Sequence, residues 1–292
     1  MGFSYARVTE VVDVNERLRR VRFEVPDLPD LGLPGQPDEA VGIYFPRPGE
    51  QTVPPMQFRN GAWAHHDVTP APEGRNYSVR RVDHHTRSMS VDFVVHSRGP
   101  ATLWAQHAAP GAQVVMAHAR GWYRPPVATA WELLVADLAG LPALARIVEE
   151  HPAPERLRAV VEVVSDDDLD YIDDHFGIDV TALVGSGNGT GPSRLGDAVA
   201  DIELPAENGY CWFGAEAAQS RAVRKHLRHH HRWGRDAYDI IGYWRFDGEL
   251  WGRRYAEHGE ELFAVYQGAI AAGKTEKEAA EEFDEALERA GL

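Results

Sequence analysis

The string Arg75-Asn76-Tyr77-Ser78-Val79-Arg80 places three kinds of chemistry on one predicted strand, Arg75–Val82. Strand side chains alternate, so Arg75, Tyr77 and Val79 share a face. A guanidinium there can grip phosphate oxygens in a fork, and a phenol ring can lie flat against a planar heterocycle. Ser78, beside the ring, can donate a hydrogen bond. Further on, Val91-Asp92-Phe93-Val94-Val95-His96 reads as a second strand, followed by Ser97-Arg98-Gly99-Pro100-Ala101-Thr102. The latter is a glycine, a helix start and a hydroxyl in the first helical turn. Pro is favoured there because its missing N–H would be unpaired anyway. Free N–H groups and the positive dipole end form a ready diphosphate site. Each string alone also fits ordinary structure: a cross-strand aromatic with flanking arginines, or a strand-loop-helix connection.

The elements that must hold these residues divide the chain. Short alternating runs, Tyr5–Val14, Arg17–Val25, Ala40–Phe45, Arg75–Val82, Met89–Val95 and Gln113–Ala117, read as an antiparallel barrel or sandwich, interrupted by one helix from Pro100. After Pro125-Pro126 the pattern changes. Trp131–Ala136 is a short apolar run, as a buried parallel strand would be, and Leu141, Leu144, Ile147 and Val148 follow at helical spacing. Arg158–Val164, Thr181–Val184, Tyr210–Phe213 and Ala237–Tyr243 are further strands, and Glu216–His231 reads as a long helix. Alternating strands and helices indicate a mainly parallel sheet. Two helices, separated at Gly273, close the chain. The expected fold is therefore α/β and two-domain: an N-terminal antiparallel β-barrel domain over 1–124, an α/β domain with a mainly parallel sheet over 125–248, and a C-terminal helical extension over 249–292.

Composition narrows the chemistry. The 292 residues carry 45 acidic and 30 Lys/Arg side chains, a formal charge of −15, which argues against a nucleic-acid binder. The single cysteine, Cys211, cannot form an intrachain disulfide or ligate an iron–sulfur cluster. No uncharged apolar run approaches the roughly 18–20 residues needed to span a bilayer. The N-terminus lacks a charged region followed by an apolar core. A cytoplasmic protein with no membrane span is the expectation.

In their order and spacing, the two strings resemble the flavin domain of ferredoxin-reductase-like enzymes. More closely, Arg75–Arg80, Val91–His96, Gly99–Ala105, Pro110-Gly111 and Arg120-Gly121 resemble the FAD domain of the siderophore-interacting protein family. Leu133–Asp137, Leu141-Pro142-Ala143, Ala215-Glu216-Ala217 and Gly242-Tyr243-Trp244-Arg245 continue the resemblance through the second half. It implies an FAD-dependent ferric-siderophore reductase, with electrons from NAD(P)H or ferredoxin, acting in iron acquisition. It implies that Tyr77 stacks on the isoalloxazine and that Ser78 bonds near its N5. Arg75 and the segment Gly99, Pro100, Ala101 and Thr102 would hold the pyrophosphate. Asp92, Phe93, Val94 and Val95, through their backbones, and His96 would line the rest. No side chain need form a covalent bond, because the flavin carries the redox chemistry. Arg120, Arg245 and Arg47 are the candidate contacts to an anionic ferric siderophore. The sequence departs from the family at three places, one of them the glycine before the Glu216 motif, which stands one place early at Gly214 instead of at Ala215. Leu138, Ala139 and Gly140 follow Asp137 where an acidic residue and a threonine are usual, and Gly42 stands where a lysine is often found. A non-enzymatic siderophore carrier and a flavin reductase with another acceptor remain alternatives.

Other signals carry less. Gly185–Gly191 is rich in glycine but fails the G-x-G-x-x-G spacing and reads as a flexible loop. His226, His229, His230 and His231 lie among Arg221, Arg224, Lys225, Arg228 and Arg232, which reads as a solvated basic helix face, not a metal site. Asp166–Asp168, with Asp170, Asp173 and Asp174, lacks the EF-hand order and reads as a solvated loop. No metal ligand set is expected. Cys211 reads as a buried thiol. The charge itself is unevenly spread: 75–124 carries +5 and 216–254 carries +4, against −10 over 151–210 and −6 over 258–292. The segments assigned to flavin and substrate are thus expected to be locally basic.

Overall fold

Alternating apolar side chains close the first part of the chain into a six-stranded antiparallel barrel. In the computed structural model the described residues are all except Met1, Pro48, Asn60, Glu73, Ser97, Arg98, 173–176 and Asp247. The barrel elements are β1 (Phe3–Asp13), β2 (Leu18–Glu24), α1 (Leu28–Leu31), β3 (Ala40–Tyr44), the hairpin β4 (Gln57–Arg59) and β5 (Ala62–Ala64), β6 (Gly74–Asp83), β7 (Ser88–Val94), α2 (Pro100–His107) and β8 (Gln113–Arg120). Strands run in the order β1-β2-β7-β6-β3-β8. Val41 and Ile43 of β3, Val79 of β6, and Val91 and Phe93 of β7 point inward to one core, capped by Ala101 and Ala105 of α2. The hairpin was not anticipated. Its strands are too short to show a period, and it covers a small outer core of Val53, Met56, Val115 and Ala117.

The second unit contains β9 (Trp131–Asp137), α3 (Leu141–Glu150), β10 (Leu157–Val163), β11 (Asp179–Val184), α4 (Leu195–Asp201), β12 (Gly209–Glu216), α5 (Ala217–Lys225) and β13 (Tyr238–Trp244). The parallel sheet has the order β11-β10-β9-β12-β13. β9 lies at the centre and all seven of its positions are buried, which explains its unbroken apolar run. The expected long helix over Glu216–His231 is divided: α5 ends at Lys225 and one π-helical turn, His226–His230, follows.

The chain ends in α6 (Gly248–Ala271) and α7 (Glu276–Arg289), the latter opened by a capping box between Thr275 and Glu278. Among the described residues, no helix is long and apolar enough to cross a membrane.

Three sequence expectations change here. The basic face that begins on α5 is covered in part by α7. Arg224 pairs with Asp284 at 2.8 Å, Arg228 with Glu285 at 3.3 Å, and Lys225 with Glu288, all on α7. Asp168 is not in a solvated loop either. It is buried in a capping box with Ser165 and faces the barrel, with Arg17 3.4 Å away. Asp173 and Asp174 lie outside the described residues. The glycine-rich loop is anchored: Ser186 Oγ donates to the buried Glu162 at 2.8 Å, and Asn188 bonds the main chain of Glu162 and Leu138.

Candidate functional site

The R-x-Y-S string lies on β6 at the junction of the two units. Arg75 is exposed and donates to the Gly74 carbonyl at 2.8 Å. Tyr77 is half-buried, its ring 4.5 Å from Phe93 and 6.3 Å from Phe45, and burial pushes its phenol pKa upward. Ser78 points to the opposite face, as alternation requires. Its hydroxyl stands 3.5 Å from the Tyr243 hydroxyl of the second unit.

β7 runs beside β6 and leads to α2. The Asp92 side chain turns away from the barrel core and is fully engaged: Arg20 donates to both oxygens at 2.7 Å, and Tyr171 adds a further hydrogen bond. Only the backbone of Asp92 is left for a ligand. Phe93 fills the core, while Val94 and Val95 are half-buried and His96 is exposed at the strand end. Gly99 has φ 107°, a conformation open to glycine, and a Cβ there would stand 3.7 Å from the His96 ring. Ala101 and Thr102 begin α2 after Pro100, and Thr102 Oγ1 lies 3.4 Å from the Val94 carbonyl, tying helix start to strand end. The first-turn amides of a helix have no intrahelical acceptor. The donor set therefore fits a diphosphate: a guanidinium on β6, the first-turn amides of α2, and a side-chain-free entry at Gly99. The half-buried Tyr77 ring suits a planar heterocycle. These features together fit FAD.

The cationic candidates occupy different settings. Arg120, at the end of β8, is exposed and donates its Nε to the His118 carbonyl at 3.2 Å. Arg245 follows β13 with its guanidinium 4.4 Å from the Trp251 ring centroid; burial and the nearby Arg221 lower its pKa. Arg47 is held by Glu50 at 2.6 Å in the loop after β3. Tyr243, near the end of β13, and Trp122, two residues beyond β8, meet across the seam with ring centroids 6.4 Å apart. The ends bearing Arg245 and Arg120 thus converge, whereas Arg47 is held by Glu50 and donates to the Pro70 carbonyl at 3.4 Å.

At the carboxyl ends of β9 and β12 the strand order reverses, the usual ligand crevice of such sheets. Asp137 sits there, buried. It accepts from Trp244 Nε1 at 2.6 Å, Ala139 N at 2.9 Å and Glu216 N at 3.1 Å. Burial pushes its pKa up to about 7 against these donors. Gly140 packs so closely on β12 that a Cβ would meet the Gly214 carbonyl at 1.9 Å.

Sequence reasoning missed the residues that fix one unit on the other. Asp38, buried between α1 and β3, accepts from Trp122 N at 3.0 Å, Tyr123 N at 2.9 Å and Trp212 Nε1 at 3.0 Å. Arg146 of α3 bonds Glu39 and the Val79 carbonyl, each at 3.0 Å. A lone acid in a loop has no motif; its apolar neighbours Val41 and Ile43 were the one available signal of burial.

Comparison with known proteins gives a consistent picture. The siderophore-interacting FAD-binding domain matches residues 7–122, and the siderophore-interacting protein domain matches residues 129–247. The NADPH-dependent ferric-chelate reductase of Escherichia coli is 28% identical over 183 residues, 61% of this chain and 68% of that protein. The ferric vibriobactin reductase ViuB of Vibrio cholerae is 28% identical over 239 residues, 80% of this chain and 85% of its own. The crystal structure of a siderophore utilization protein from T. fusca is 28% identical with a TM-score of 0.72, covering 83% of this chain and 92% of that one.

Proposed function

This chain belongs to the siderophore-interacting protein family, and we propose that it is an FAD-dependent oxidoreductase that reduces the Fe(III) of a ferric siderophore and so releases Fe(II). The observation that carries this reading is the meeting of the R-x-Y-S strand with the ends bearing Arg120 and Arg245, through the Ser78–Tyr243 and Trp122–Tyr243 contacts.

Arg75 and the α2 amides of Ala101 and Thr102 would hold the diphosphate of FAD, with the backbone of Asp92–Val95 and His96 alongside. Tyr77 would lie against its ring system and Ser78 near the ring's edge. FAD supplies the conversion of a two-electron donor's reducing power into single-electron delivery. NAD(P)H is the donor, and we keep reduced ferredoxin as an alternative. Arg120 and Arg245 would orient an anionic ferric complex by charge-assisted hydrogen bonds, with Arg47 a more distant contributor. Siderophores bind Fe(III) through hard oxygen donors that hold Fe(II) far more weakly, so reduction releases the metal. Segment 1–124 would act as the flavin unit, 125–248 as the donor and substrate unit, and 249–292 as a brace on α5. The absence of cysteine pairs suits action in the cytoplasm.

The test is Fe(II) formation from ferric siderophores in a chelator-trap assay, with NADPH, NADH and reduced ferredoxin compared on flavin-loaded protein. Protein purified without bound FAD, or no trapped Fe(II) with any donor, would overturn the proposal.

A further inference from the structure

On the reductase reading, Arg120 meets the ferric complex from the outer face of the barrel. A regular β8 would not put it there. Val114 and Met116 point into the barrel core, while Val115 and Ala117 point outward. Continued alternation would send position 118 inward, 119 outward and Arg120 inward. Instead Ala119 joins the inner core and Arg120 stands opposite Ala40 of β3. Ala40 and Gly42 alternate with the inward Val41 and Ile43, so Arg120 shares their outer face. The register shows how. Ala117 pairs with Gly42 and Arg120 with Ala40, so His118 and Ala119 together oppose Val41. His118 holds φ at 57°, the left-handed region, which is strained for a residue with a Cβ. Bulges of this kind invert which side later residues face.

We propose that His118 is a positioning residue, whose left-handed bulge turns Arg120 from the barrel interior to the cleft face and so sets the enzyme's hold on an anionic ferric complex. The recognition half of this inference rests on the reductase reading; the backbone half does not. The His118 carbonyl also accepts from Arg120 Nε at 3.2 Å, so the bulge both turns and tethers the guanidinium. Its surroundings keep the bulge in place. The His118 ring packs edge-on to Tyr44 with centroids 6.1 Å apart, and Tyr44 meets His65 in the same way at 5.2 Å. Tyr44 can lie there because Gly74 is beside it; a Cβ at Gly74 would come within 2.5 Å of the ring.

Two readouts test the inference, each on FAD-loaded protein. The first is independent of catalysis. In an Arg120→Cys background the thiol at position 120 is exposed to a water-soluble reagent, and the native Cys211 is buried and silent. His118→Gly and His118→Asn, which accept the left-handed backbone, should leave labelling fast. His118→Val, with the extra residue retained but the left-handed backbone disfavoured, should slow it by about tenfold or more as position 120 turns inward. Deletion of residue 118 removes the extra residue, leaves Ala119 opposite Val41 and position 120 opposite Ala40, and should keep labelling fast. The second readout is the KM for ferric dicitrate with Arg120 intact. Gly and Asn variants should stay within about twofold of the parent. The Val variant should rise by about tenfold or more, as Arg120→Ala does, with its rate of flavin reduction by NADPH retained. Fast labelling in the folded Val variant, or slow labelling in the folded deletion variant, overturns the bulge, whatever the activity. If labelling follows the expected series and the Gly and Asn variants match the KM loss of Arg120→Ala, the imidazole, not the backbone, is responsible and the positioning role fails. A parent that labels as expected but produces no Fe(II) refutes the reductase reading and with it the recognition half, leaving the bulge assignment standing.

Discussion

Arg146→Met is the substitution that most directly probes the seam on which the site is built. The Arg146 side chain is 7% exposed and donates to Glu39 Oε1 and to the Val79 carbonyl, each at 3.0 Å, as well as to Glu150 at 2.7 Å. Glu39 is 1% exposed, and its other oxygen accepts from Gly35 N at 2.8 Å. Methionine preserves the apolar stem but leaves the Glu39 carboxylate buried without its cation. Removing one partner of a buried ion pair costs about 3–5 kcal/mol, most of it the orphaned charge. Each kcal/mol moves the midpoint of a domain of this size by about 2–4 °C, so a fall of about 6–20 °C is expected. Thermal unfolding of the flavin-loaded protein, followed by circular dichroism and by flavin fluorescence, measures it. Both probes should move together, because Val79 is two residues from Tyr77 on the strand that carries the flavin motif. Adding Glu39→Gln in the same chain removes the orphaned charge and should recover part of the loss. A midpoint within about 2 °C of the parent, or a double variant no better than Arg146→Met alone, would refute the account of the seam as an electrostatic joint.

Three further outcomes are expected. Tyr77→Ala should weaken FAD binding by about tenfold, read by flavin fluorescence titration, with Tyr77→Phe close to the parent, since the ring and not the hydroxyl makes the face. Asp137 has its folded-state pKa pushed up to about 7 by burial, so the folded protein binds its proton more tightly than the unfolded chain; its contribution to stability should fall as pH rises from about 4 to 7 and be flat above, and Asp137→Asn should flatten that part of the stability–pH profile. Cys211, buried with its thiol pKa pushed up, should resist thiol reagents in the native protein, so that rapid labelling under native conditions would contradict its placement in the β12 core.

Much of the architecture was legible because its signals are local. The unbroken apolar run of Trp131–Ala136 identified the central parallel strand, and Gly99-Pro100 marked the start of α2. Arg75, Tyr77 and Ser78 fell on one strand whose two faces serve different ends, as alternation alone requires. What was not legible depends on partners distant in sequence or on backbone conformation. No composition rule joins Asp38 to Trp212, or Arg80 to Glu149, whose pairing at 2.7 Å spans the seam. The His118 bulge carries no glycine to announce it, so a strand ending at Ala117 was the natural expectation and the inversion of Arg120 could not be seen. The hairpin β4–β5 and the short α4 are below the length at which periodicity speaks.

The uneven charge of the chain looks different once α7 is in place. The segment 216–254 carries +4, yet much of its basicity is spent within the fold. Arg224, Lys225 and Arg228 each meet a carboxylate of α7, and Arg235 meets Glu281 at 2.8 Å. Glu281, 4% exposed, also accepts from the Tyr238 hydroxyl at 2.9 Å, so this acid is structural. The −6 of 258–292 is therefore the counter-charge of α5 as much as a solvated surface. A ligand in the cleft would feel the cations not consumed in this way. Arg120 is exposed and bonded to a main-chain carbonyl, and Arg245 rests on an indole face beside Arg221, with Asp284 and Glu216 opposing that repulsion. Local field at the cleft thus follows from how far the fold compensates each arginine, and segment totals overstate it in the second unit.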